Sequence, residues 1–109
     1  MATQVITDKH GYEYITFMIL EHAKEHFIQM FDFRGGHGNM CDSIRWSLNQ
    51  HVSVFDMDDI QHYIPLFNHS IAIEKFGASK DVYEWWDYRD KQSRINYFDW
   101  LISEYSKEI

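Results

Sequence analysis

Apolar residues recur every three or four positions along most of this chain, the period of a helix with one buried face. Tyr12, Ile15, Ile19, Ala23, Phe27 and Met30 form one such stripe and predict a first helix over about residues 11–31. A glycine cluster follows, and Gly35 or Gly36 can supply the positive φ that ends a helix. Asn39 then predicts a cap for a second helix, with Asp42 three residues on. Its inward face reads Cys41, Ile44, Leu48 and Val52. A third helix begins after Asp56, with Asp58 and Asp59 in the first turn, where the helix dipole favours acids. Ile60, Tyr63, Ile64, Phe67 and Ile71 carry it towards Gly77. Pro65 lacks the backbone N–H and interrupts it, so a kink or restart is expected between Tyr63 and Leu66. Asp87 precedes a last helix, with Asp90 at the third position of its cap. Ile95, Phe98, Leu101, Ile102 and Tyr105 form the apolar face of that helix, and the terminal SKEI is expected to fray.

One segment departs from the period. DVYEWW, Asp81 to Trp86, is short, aromatic and flanked by turn formers, which reads as a short extended piece. No repeat, linker or low-complexity tract breaks residues 1–109. The fold expected is therefore all-α: a single-domain bundle of about four helices, with an extended segment near residues 81–86 as its one optional departure.

Composition narrows the function. The chain carries 17 acidic and 10 basic residues, a formal net charge of −7. The basic residues are scattered singly among acids, so direct binding to nucleic acid or an anionic membrane is disfavoured. The charge suits a basic protein partner and also solubility. Aromatics make up 17% of the chain, enough for a core and for anchors on a binding surface. Cys41 is the single cysteine, which excludes an intramolecular disulfide and a multi-cysteine zinc site and fits a reducing cytoplasm. The N-terminal stretch has no apolar signal region, and no run is long enough to span a bilayer.

Candidate chemistry begins at His22, Glu25 and His26, which spell H-x-x-E-H, the inverted zinc-protease pattern. On a helix the two histidines can face one ion, with Glu25 as general base on a bound water. Enzymes with this pattern are much larger and draw a further acidic ligand from a second helix. Here only Glu74, Glu84, Glu104 and Glu108 remain for that role, so no metal or cofactor is expected. A metal-dependent hydrolase at His22–His26 is kept as the alternative. RGGHGNMC, Arg34 to Cys41, could cradle an anion at a helix start, but it lacks the Lys-Ser/Thr ending of a P-loop and reads as a helix-to-helix turn. Cys41 could be a nucleophile with His37 close by; its place on an apolar stripe argues for a core residue. His62 and His69 lie seven apart on one expected helix face.

The last candidate is a surface. Asp81, Glu84, Asp87 and Asp90 surround Trp85 and Trp86, a combination of aromatic anchors with carboxylates that steer a partner. Consecutive side chains on a helix point about 100° apart and on a strand point to opposite faces, so one tryptophan is expected at or near the surface.

The stretch YEWWDYRDKQSRINYFDWLISEY resembles small accessory proteins of tailed phages. The features shared are Gly38 to Cys41, the pair Trp85 and Trp86, Asp87 or Asp90 as a helix cap, Arg94, and the run Trp100-Leu101-Ile102. The resemblance implies no catalytic residue. It implies a protein that binds and blocks a host or defence protein in the host cytoplasm, in some cases by presenting carboxylates where a nucleic-acid enzyme expects phosphates. The expectation is thus a non-catalytic inhibitor of a basic nucleic-acid-processing protein, acting through Asp81, Glu84, Trp85, Trp86, Asp87 and Asp90. A homo-oligomeric structural subunit, such as a homodimer, is a further alternative.

Overall fold

The longest apolar stripe becomes the longest helix. α1 runs Lys9–Phe33 in the computed structural model, which describes residues 9–33, 35, 38–87 and 91–107. Side chains of α1 are described from Phe17 on, so Tyr12 and Ile15 of the expected stripe lie outside the described side chains, as do Arg34, Gly36, His37, Asp90 and residues 108–109. Ile19, Leu20, Ala23 and Phe27 are buried along one side of α1. Gly35 takes φ of 69°, the left-handed conformation that a glycine adopts without strain, and its N–H donates to the Asp32 carbonyl.

α2 spans Met40–Leu48, and Asn39 caps it in extended conformation by accepting from the Asp42 N–H at 2.6 Å. Its buried face is Met40, Ser43, Ile44, Ser47 and Leu48, with Cys41 and Val52 only half-buried against the core. Two serines thus face inward where the apolar pattern gave no signal. Ser47 donates from its hydroxyl to the Ile19 carbonyl at 2.8 Å, and Ser43 Oγ lies 2.9 Å from His26 Nδ1. Small side chains that bond to α1 let the two helices approach closely without stranding a buried polar atom.

α3 spans Met57–Tyr63, opened by a reciprocal capping box between Asp56 and Asp59, and α4 spans His69–Phe76, capped by Asn68 and closed by Gly77 at φ of 68°. Of the kink or restart expected at Pro65, the structure has the restart: this region forms two helices, and the described residues form five in all. Pro65 causes the restart, and α5, Lys91–Ser106, satisfies the backbone it frees. Tyr97 Oη donates to the Leu66 carbonyl at 2.8 Å and accepts from the Asn68 N–H at 3.1 Å, while Tyr105 Oη accepts from the Leu66 N–H at 3.0 Å. The split also places His62 and His69 on separate helices, not on one face.

α1 packs against α2 and α5, α5 also against α4, and α2 against α3. Phe27, Phe67 and Phe98 are among the largest fully buried side chains, and burial of each contributes about 1.5–3 kcal/mol. Among the described residues there is no strand, and no helix is long and apolar enough to cross a membrane.

Candidate functional site

The segment Asp81–Asp87 is a pair of tight turns, not an extended piece. The Asp81 carboxylate accepts from the Tyr83 N–H at 2.8 Å, and backbone bonds run from Glu84 N–H to the Asp81 carbonyl and from Asp87 N–H to the Glu84 carbonyl. An aspartate that bonds two residues ahead nucleates a turn, and no neighbouring strand competes for these groups among the described residues.

The turns divide the side chains sharply. Asp81, Glu84 and Asp87 are exposed, as expected. Trp85 is 3% exposed and sits in the core, its ring 4.9 Å from Phe67 and 5.4 Å from His69. Trp86 is half-buried and meets Trp85 edge-on at 5.4 Å. The side chains that emerge are instead Tyr83 at 81% exposure and Val82 at 56%. Of the two tryptophans, one of which is expected at or near the surface, Trp85 serves as the anchor of the segment and Trp86 is the nearer to solvent; among the described residues the exposed aromatic beside the carboxylates is Tyr83. Tyr83 sits in the same YEWW stretch, where ring size alone points to the tryptophans and carries no signal for which ring the core buries. Asp90 lies outside the described residues.

Arg94 fixes the far end of this segment. It is buried, pairs with the Asp87 carboxylate at 2.5 Å, and donates to the Gly38 carbonyl at 2.7 Å. Its guanidinium lies over the rings of Phe27 and Phe31, at 5.3 and 5.2 Å. Met40 N–H, at the start of α2, donates to the Trp86 carbonyl at 3.5 Å. Among the described residues, two N–H groups at the start of α2 are therefore taken, Met40's by the Trp86 carbonyl and Asp42's by the Asn39 cap.

His22 and His26 share α1, and they differ in setting. His22 is exposed, whereas His26 is half-buried, in contact with Ser43 and stacked on Trp46 with ring centroids 4.3 Å apart. Among the described residues no group of three or more His, Cys, Asp or Glu side chains is placed to hold a metal. None of Glu74, Glu84 and Glu104 converges on the pair, and Glu108 lies outside the described residues.

Cys41 is half-buried, and its thiol approaches the Met57 sulfur at 3.3 Å. Burial, with a smaller contribution from the Asp42 carboxylate, pushes the thiol up to about 11. A nucleophilic cysteine needs the opposite shift.

Comparison with protein-family models, curated proteins and solved structures finds no match to this chain.

Proposed function

We propose that the chain is a non-catalytic binding protein that engages a basic, nucleic-acid-processing protein through Asp81–Asp87, as an inhibitor of the kind suggested by its resemblance to small phage accessory proteins. The observation that carries this reading is the exposure of Tyr83 and Val82 between Asp81, Glu84 and Asp87, on a turn pinned to the core by Trp85. Exposed apolar groups ringed by carboxylates suit a hot spot with electrostatic steering. Because Trp85 and Arg94 already hold the turn, little conformational entropy remains to be lost on binding. The formal net charge of −7 adds long-range attraction for a basic partner.

The test is comparative capture from a bacterial lysate by immobilised wild-type chain and by a Tyr83→Ala/Glu84→Lys variant. The expected result is a basic nuclease or polymerase retained by the wild type alone and inhibited by it in an activity assay. Equal retention by both chains, or recovery of nothing but further copies of the chain, would overturn the proposal; the second outcome would favour homo-oligomerisation.

A further inference from the structure

Two open concavities lie along the outward side of α1 and share His22 and Glu25. The larger, about 480 Å³, runs between α1 and α5, with Glu21 and Glu25 beside the apolar side chains of Ile28 and Ile102. The smaller, about 270 Å³, runs between α1 and α2 and is walled by Trp46 and His26. Neither includes a residue of Asp81–Asp87.

Trp46 is 44% exposed, large for an indole with no evident structural need to face water. Its ring is nonetheless held: it stacks on His26 at an interplanar angle of 16°, and His26 is fixed in turn by the buried Ser43 hydroxyl. Of the neighbouring cations, Lys24 pairs with Asp99 at 2.5 Å and Arg45 with Asp42 at 3.4 Å, and the carboxylates that line the two concavities are Glu21 and Glu25. A fixed, part-exposed indole beside a carboxylate is the pairing that recognises a guanidinium, whose flat face stacks on the ring while its N–H groups reach the acid. The aliphatic stem of a second basic side chain fits against Ile28 and Ile102, with its charge at Glu21.

We infer that this side of α1 is a docking surface for an arginine-bearing segment of a basic protein, with the guanidinium taken by Trp46 and Glu25. The surface is separate from Asp81–Asp87 and shares with it only the charge of the partner.

The test is calorimetric titration of the full chain with a hexa-arginine peptide, with the Trp46 indole N–H followed by NMR. Trp46→Leu and Glu25→Gln, both at exposed positions, should each weaken binding about tenfold, and Glu74→Gln, at an exposed position of α4 outside both surfaces, should leave it unchanged. The Trp46 resonance should move on titration in the wild type. Equal affinity in all variants would mean diffuse attraction to an acidic protein and would overturn the assignment. So would the absence of binding, or a loss in Glu74→Gln as large as that in Trp46→Leu and Glu25→Gln; none of these outcomes bears on Asp81–Asp87, which the capture experiment tests by itself.

Discussion

Arg94 and Asp87 form an ion pair at 2.5 Å in which the arginine side chain is 6% exposed and the aspartate 51%. The asymmetry matters. Arg94 has been taken out of water and relies on its partners, whereas Asp87 stays half in solvent and adapts readily to a loss. Arg94 also ties three pieces of chain together: α5, the Gly38 turn and the end of Asp81–Asp87.

The first prediction follows from that joint. Arg94→Ala removes a charge-assisted bond to Gly38, the pair with Asp87 and the packing over Phe27 and Phe31, and should cost about 3 kcal/mol. Asp87→Asn keeps the side chain's shape and the bond that Arg94 also donates to the Asp87 carbonyl at 3.3 Å, and should cost about 1 kcal/mol. Urea unfolding midpoints of the two variants check both the size and the order; a larger loss in Asp87→Asn would contradict this account of the pair.

Trp85 and Tyr83 give the second. Trp85→Ala opens a cavity beside Phe67 and should destabilise by about 3–5 kcal/mol, while Tyr83→Ala, at an exposed turn position, should change stability by no more than about 0.5 kcal/mol. Thermal denaturation of each variant measures the contrast. Similar losses in both would mean that Tyr83 is a structural residue and not a free anchor.

Cys41 gives the third. With its thiol at about 11 in the fold against 9.0 for an ordinary cysteine, the native chain holds its proton where the unfolded chain has lost it. The stabilisation is therefore complete below pH 9 and is lost as pH rises from 9 towards 11. Burial raises the Tyr97 hydroxyl in the same direction, which adds to the loss above pH 10. Urea midpoints should fall steadily over this alkaline window, and Cys41→Ala should flatten the part between pH 9 and 11. At pH 8, labelling of the native thiol should be at least about tenfold slower than in the denatured chain.

His22 and His26 give the fourth. His22→Ala should be neutral, and His26→Ala should cost about 1 kcal/mol through loss of its contact with Ser43 and its stack on Trp46. Untagged protein dialysed against zinc should retain no stoichiometric tightly bound metal by elemental analysis. One tightly bound zinc per chain, absent from the double variant, would restore the hydrolase reading.

The sequence by itself determined most of the local elements, the turns of Asp81–Asp87 excepted. Helix period, the Asn39 and Asp56 caps, the stops at Gly35 and Gly77 and the break at Pro65 all act within a few residues, so their signals sit side by side in the chain. Tertiary structure decided what those elements do. Whether Pro65 kinked a helix or split it depended on Tyr97 and Tyr105, which reach from α5 to satisfy the freed backbone groups. Ser43 and Ser47 face inward because α1 supplies their partners, an arrangement that polarity alone reads the wrong way round. Trp85 and Tyr83 are both aromatic and lie two residues apart; only the hole beside Phe67 and His69 selected Trp85 for the core. Which aromatic becomes a binding surface is thus set by which one the rest of the molecule has room to bury, a long-range packing condition that no local pattern encodes.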